Sequence, residues 1–195
     1  ERPRDRSPGD RQVDRAGQVQ VGQVVLADAL PERVVELHPH ASGPGVPTGH
    51  TGGARPASGS GPAAGTAWSP LRAETGGLVN ISRRYGLPEG RSLVWLRTSV
   101  HAAAKVEKRA SIGWNDEVWV FVNGTQVHAD VNDYLKPALR KKPDGRLSLD
   151  NGSFILPLQA GDNEVIVGVA NAFFGWGLML RLDDAAGVTL APSTR

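Results

Sequence analysis

The chain of 195 residues has no cysteine. That absence excludes a disulfide framework, a thiol nucleophile and a cysteine-ligated zinc. There is no apolar run near the roughly 18 residues that a membrane-crossing helix needs, so no membrane partner is expected. No charged-then-apolar leader follows Glu1. The compartment stays open, because a mature or truncated chain would read the same way. Charge of one sign is also lacking: 22 basic residues against 20 acidic ones leave a net +2. A balance of that kind gives no reason to expect nucleic acid as a partner.

What is present is unevenly spread. All five Trp, two Tyr and four Phe lie between Trp68 and Trp176. Residues 1–66 hold no aromatic, Ile, Lys, Asn or Met, and are rich in Gly, Pro and Arg. Such a segment buries too little apolar area to offset an ordering cost of about 1–2 kcal/mol per residue. The patterning predicts a mostly disordered Gly/Pro-rich N-terminal arm over 1–66. Within it, Val19–Val35 has the makings of a strand (Val19, Val21) or a short helix (Val24–Leu30), and Pro39–Gly65 reads as linker. The missing residue types mostly have AT-rich codons, so a GC-rich gene read out of frame would give the same arm.

Residues 67–191 read as β almost throughout. Ser92–Ala102 alternates, with Val94, Leu96, Thr98 and Val100 on one face and Leu93 and Trp95 on the other. Lys105–Trp114 is extended. In Glu117–Val122, Val118, Val120 and Val122 oppose Trp119 and Phe121. Asn123-Gly124 then supplies two residues that tolerate positive φ, a hairpin signal, before Gln126–Ala129 resumes. Gly152–Leu158, Asn163–Ala170 and Gly177–Leu182 are further strands. Only Val131–Arg140 has helical character, and Pro137 interrupts it. The expected fold is all-β, an antiparallel β-sandwich jelly roll.

The series WNDEVWVFVNGTQV (114–127), GSFILPLQAGDNEVIVGVAN (152–171) and WGLMLRLDD (176–184) resembles the galactose-binding-domain-like jelly roll. That fold includes sugar-binding domains of bacterial beta-galactosidases and beta-glucuronidases and many carbohydrate-binding modules. The matching features are the strand ending in Asn123-Gly124, the turn with Leu158, Gly161 and Asn163, and the closing Trp176-Gly177 strand. GLVNISRRYG (77–86) is also similar to bacterial proteins in which a laminin-G domain precedes the jelly roll. The resemblance implies a non-catalytic carbohydrate-binding or accessory module, with a glycan and a neighbouring domain of a larger protein as partners. A structural or protein-interaction domain without a small ligand is the alternative.

The residues themselves give little catalytic chemistry. A glycosidase needs two carboxylates about 5–10 Å apart. Asp116 and Glu117 are adjacent, so a strand points them to opposite faces. Asp133, Asp144, Asp150 and Asp162 sit in turn contexts, where Asp satisfies local backbone donors. No G-x-S-x-G elbow or H-E-x-x-H pair occurs. His38, His40 and His50 have no partners at ligand spacing. His101 and His128, at strand ends, read as solvated edge residues.

Sugar binding uses aromatic faces for stacking and amides, carboxylates and Arg for hydroxyls. The candidate ligand residues are Trp114, Asp116, Asn132, Tyr134, Arg140, Asn171 and Trp176. For each aromatic, core packing is the competing reading, and Phe173-Phe174-Gly175-Trp176 reads more readily as a packed corner. Asp130, Asn132 and Asp133 supply oxygens for a structural calcium, although their spacing matches no specific calcium loop; no other cofactor is expected. Arg140, Lys141, Lys142 and Arg146 around Pro143-Asp144-Gly145 read as a solvated turn, with anionic ligand contact as the alternative. Of the sequons at Asn80, Asn123 and Asn151, the last two are Asn-Gly turns, which turn geometry explains without glycosylation.

Overall fold

Alternation writes the architecture directly into the strands. The computed structural model describes residues 61–62, 68–71, 73–87, 91–171 and 173–190, and the strands at 24–25 and 35–40. In chain order the strands are β1 (Val24–Val25), β2 (Val35–His40), β3 (Ser69–Leu71), β4 (Val79–Asn80), β5 (Ser92–Ala102) and β6 (Val106–Trp114). They continue with β7 (Asp116–Val122), β8 (Thr125–Asn132), β9 (Gly152–Leu158), β10 (Gly161–Asn171), β11 (Gly177–Leu182) and β12 (Val188–Leu190). A five-residue helix, α1 (Ile81–Tyr85), follows β4, with the Asn80 side chain accepting from Arg83 N as its N-cap.

Two antiparallel sheets face each other as a sandwich. One runs β1-β11-β6-β9, with β4 beside β1 on the edge of β11. The other runs β3-β2-β5-β10-β7-β8, with β12 sharing the β2 edge of β5. Between them lies a continuous apolar core. Ala110, Ile112 and Trp114 of β6, Leu156 and Leu158 of β9 and Leu178, Leu180 and Leu182 of β11 meet Val94, Leu96 and Val100 of β5. Val118, Val120 and Val122 of β7 and Val165, Val167 and Val169 of β10 complete it. Each of these Val, Leu and Ile side chains contributes about 1.5–3 kcal/mol on leaving water.

The strands at 92–102, 152–158 and 177–182 match their sequence patterning to the residue. The Asn123-Gly124 turn has φ of 49° and 79°, both left-handed, which joins β7 to β8 tightly. The helical character expected over Val131–Arg140 reduces to a 3₁₀ turn at Pro137–Leu139, because β8 runs on to Asn132 and Pro137 lacks the donor a longer helix needs. Two pieces of the arm join the sheets: Val24–Val25, expected to open a short helix, instead form β1 on the edge of β11, and β2, which patterning alone does not single out, lies between β3 and β5. The remaining expectations for 1–66, apart from residues 61–62, lie outside the described residues.

Candidate functional site

Buried asparagines shape the loops at both ends of the sandwich. Asn132, at the end of β8, gives its amide to Trp114 O (2.9 Å) and accepts from Lys141 N (2.9 Å). Asn151, just before β9, accepts from Trp114 N and Ser148 N and donates to the carbonyls of Lys142 and Arg146. A side chain so engaged is no glycosylation acceptor. Together these two amides fix the long β8–β9 connection, 133–151, against the β6–β7 corner.

That corner and the β10–β11 loop form a rim. Asp116 opens β7 with φ of 54°, and Phe174 has φ of 63°. Left-handed backbone is costly for a bulky residue and persists only where its surroundings enforce it. Here they do. Phe173 N donates to both Asn171 Oδ1 (2.9 Å) and Asp116 Oδ2 (3.0 Å), and Asn171 Nδ2 donates to Phe174 O (2.7 Å). The loop therefore holds Phe174 out, 73% exposed, with Phe173 at 37% and Tyr134 at 42%. Phe173 is tilted against Phe174 at 5.0 Å and runs nearly parallel to Tyr134 at 6.2 Å. The Arg140 guanidinium lies 4.6 Å from the centre of the Tyr134 ring. It also donates to Tyr134 O and pairs with Asp144 at 3.3 Å.

The candidate residues thus separate. Tyr134, Arg140, Asp116 and Asn171 come together at this rim with two phenylalanines. Trp114 and Trp176 do not reach solvent with a ring face, which corrects their candidacy as stacking platforms. Both lie in the inter-sheet core; Trp176 is further held by Ser82 Oγ to its backbone N (2.8 Å). Asn132 is buried and its amide is spent on backbone, so it supports the rim from beneath. Phe174, read from sequence as part of a packed corner, is the most exposed ring of the group.

The proposed calcium oxygens do not converge. Asp130 pairs with Lys141 at 2.7 Å, Asn132 Oδ1 is occupied by Lys141 N, and Asp133 is held by Lys136 Nζ (2.9 Å) and Leu135 N (2.9 Å). Partial burial pushes the Asp133 carboxyl up, but those hydrogen bonds outweigh it and leave it below its ordinary value. Ammonium groups sit where a cation would have to, so the three residues do not fit calcium. The basic turn is mixed in charge as well, since Arg140 and Lys141 each hold a carboxylate.

His128 differs from its sequence reading. Its position opposite Val120 turns it inward, where it stacks on Phe154 at 4.9 Å and meets the Trp114 ring edge-on at 6.0 Å. Its Nε2, like Trp114 Nε1, is buried without a hydrogen-bond partner. Burial lowers its pKa below 6.5, opposed by Asp130 and helped by Lys141. The unfolded chain therefore takes up this proton at higher pH than the folded one. The stability supplied by the neutral ring is complete above about pH 6.5 and is lost as pH falls from there through the folded-state value. Urea midpoints measured from pH 8 to 5 should show that loss, and His128→Phe should flatten it. An unchanged slope in the variant would assign the acid sensitivity elsewhere.

The fold and rim define an all-β jelly-roll sandwich with an aromatic loop cluster at one end. This architecture is the antiparallel β-sandwich that the alternation of the strands predicts. No protein-family model matches the chain, and no curated protein matches it. Among solved structures it is similar to a family 35 carbohydrate-binding module from an environmental isolate. That match has 19% identity, covers 51% of this chain and 72% of that one, and has a TM-score of 0.38. It is also similar to a GH2 beta-galacturonidase from Eisenbergiella tayi, at 11% identity over 82% of this chain and 24% of that one, with a TM-score of 0.44. An anti-sigma factor domain-containing protein from Clostridium clariflavum matches at 13% identity over 53% and 33%, with a TM-score of 0.36. The chain spans about a quarter of the GH2 enzyme, and at these identities the likeness is one of fold alone.

Proposed function

We propose that the rim built from Phe173, Phe174 and Tyr134 binds carbohydrate and does not cleave it. The observation that carries this reading is Phe174: a large apolar ring, mostly in solvent, on strained backbone that two buried polar side chains enforce. Strain held in place by dedicated hydrogen bonds is a mark of functional loops. An exposed ring is what a pyranose face stacks on, and the neighbouring Arg140 suits hydroxyls. A purely binding role fits the carboxylates nearby, because Asp116 accepts from Phe173 N, Glu117 pairs with Arg91, Asp133 with Lys136 and Asp144 with Arg140.

The rim and the fold respond separately to one substitution. Phe174→Asn removes the ring and places there a residue that accepts left-handed φ. Stability should rise by about 1 kcal/mol, while affinity for the best glycan on an array should fall about tenfold. Phe174→Ala should lose binding as well, without the gain in stability. Glycan binding that survives both substitutions would remove the rim from the mechanism. A folded wild-type protein with no glycan signal at all would favour the structural or protein-interaction reading.

A further inference from the structure

The two outer faces of the sandwich differ in kind. Outside the β11-β6-β9 sheet the strands present Glu107, Arg109, Ser111, Ser153 and Arg181, with Ile155 as the one large exposed apolar side chain. Outside the other sheet lies a second apolar cluster, separate from the main core: Trp95, Trp119, Phe121 and Ala170, packed with Trp68, Leu93, Ala129 and Ile166. Register puts these on one face. Trp119, Gly168 and Trp95 form one row, with His38 of β2 next to it, and Phe121, Ile166, Arg97 and Glu36 form the next. Trp95 lies so flat on Gly168 that a Cβ there would come within 2.7 Å of the indole.

This face is closed: Trp95 is 3% exposed, and Trp119 and Phe121 are each 2% exposed. Three such rings bury about 150–250 Å² apiece, and one indole covers about one of them. Among the described residues, Trp68 packs on the cluster from outside β5, β7, β8 and β10, and the Arg91 guanidinium lies 5.9 Å from the centre of the Trp119 ring. One indole and one guanidinium do not cover three such rings, so the face calls for a further cover.

Chain geometry singles out the source. β2 ends at His40, opposite Leu93 at one margin of the cluster. The chain returns at Trp68, whose ring lies 4.7 Å from the Arg97 guanidinium at the other margin. Between them run residues 41–67, about 27 residues, enough to reach roughly 90 Å when extended. The aromatic patch is only about 10 Å by 13 Å, three strands wide and a few residues long. The segment carries Pro44, Pro47, Pro56 and Pro62, with Arg55 as its one charged residue. Pro-rich, charge-poor segments dock on aromatic faces because their rings pack flat at little entropic cost.

We propose that the outer aromatic face of the β5-β10-β7 sheet is the docking surface for residues 41–67 of the same chain. The domain then needs residues N-terminal to 67 to cover its own surface. This stands apart from the sugar-binding rim, at different residues.

The test uses the full chain with 41–67 replaced by a Gly-Ser segment of equal length, and a milder variant with the four prolines changed to serine. Both should show red-shifted tryptophan emission and stronger acrylamide quenching, and the change should vanish in a Trp95→Phe/Trp119→Phe background. A synthetic peptide of residues 41–67 added in trans should reverse the exposure. Unchanged emission and quenching in both variants would overturn the proposal. So would quenching of the wild-type chain that rises on dilution, because a second copy would then be the cover. Phe174-dependent glycan binding should persist in the serine variant, so failure of either proposal is read independently of the other.

Discussion

Replacing Asn163 with alanine should lower the free energy of unfolding by about 3–4 kcal/mol, a drop in Tm of roughly 10 °C. Asn163 is fully buried at the start of β10. Its amide nitrogen faces the carbonyls of Gln159 (2.8 Å), Gly161 (3.0 Å) and Val100 (3.4 Å), and its oxygen accepts from Gln159 N and Asn123 Nδ2, both at 2.8 Å. Asn123 in turn accepts from Glu164 N at 2.9 Å. One amide therefore ties the β7–β8 hairpin tip to the β9–β10 turn and to β5. Alanine leaves several of these groups in a dry site without partners, each costing about 1–3 kcal/mol before local relaxation.

Asn163→Asp separates lost hydrogen bonds from lost volume. The carboxylate keeps the shape and the acceptors but faces three carbonyl oxygens, which raises its pKa in the folded state. A raised carboxyl pKa means that the folded chain binds the proton more tightly, so stability should recover as pH falls through that value. Thermal melts at pH 7 and pH 4.5 would show it. An aspartate variant equally unstable at both would mean that the site tolerates the charge and that packing dominates.

How much of this was visible in the sequence depends on parity. Residues alternate faces along a strand, so Val118, Val120 and Val122 pointing to one side and Trp119 and Phe121 to the other was plain from the string. That Trp119, Phe121 and Trp95 are packed was readable too; that they form a second cluster separate from the inter-sheet core was not, because the residues that complete it lie outside β7. Trp114 is a case where the signal was present and unused. It shares even parity with Ala110 and Ile112 on β6, and that places it in the core despite the neighbouring Asn115 and Asp116. Trp176 shares parity with Leu178, Leu180 and Leu182 in the same way. Phe174 could not be read by parity, since its left-handed backbone interrupts the alternation before β11. His128 shares parity with Asp130 and Asn132, so the inward turn of all three follows once β8 is known to continue to Asn132. β12 and α1 are too short to produce a period, and pairing with β5 and the Asn80 cap define them instead.

Gly113→Ala should be as damaging as loss of Asn163, about 3 kcal/mol, for a reason of contact and not of backbone freedom. A Cβ at this position would collide with Ser148 O and lie 2.6 Å from Ser148 C. Backbone cannot rotate away as a flexible side chain can, and Ser148 is fixed in turn. Its carbonyl accepts from Asn151 N, and its own N donates to Asn151 Oδ1, both at 3.0 Å. The methyl must either displace β6 or pull the 133–151 connection off Asn151, the same side chain that accepts from Trp114 N. Because both routes break one set of bonds, Gly113→Ala and Asn151→Ala should not add. With each single change costing about 3 kcal/mol, the double variant should cost well under the sum, with a coupling near 2 kcal/mol. Urea unfolding of the four proteins measures it; strict additivity would mean that the methyl is absorbed without disturbing Asn151. The same connection carries Tyr134 and Arg140, and Gly145 packs against the Tyr134 ring. Gly113→Ala should therefore weaken glycan binding along with stability, whereas Phe174→Ala acts on binding alone. That contrast separates a residue that builds the rim from the ring that the rim presents.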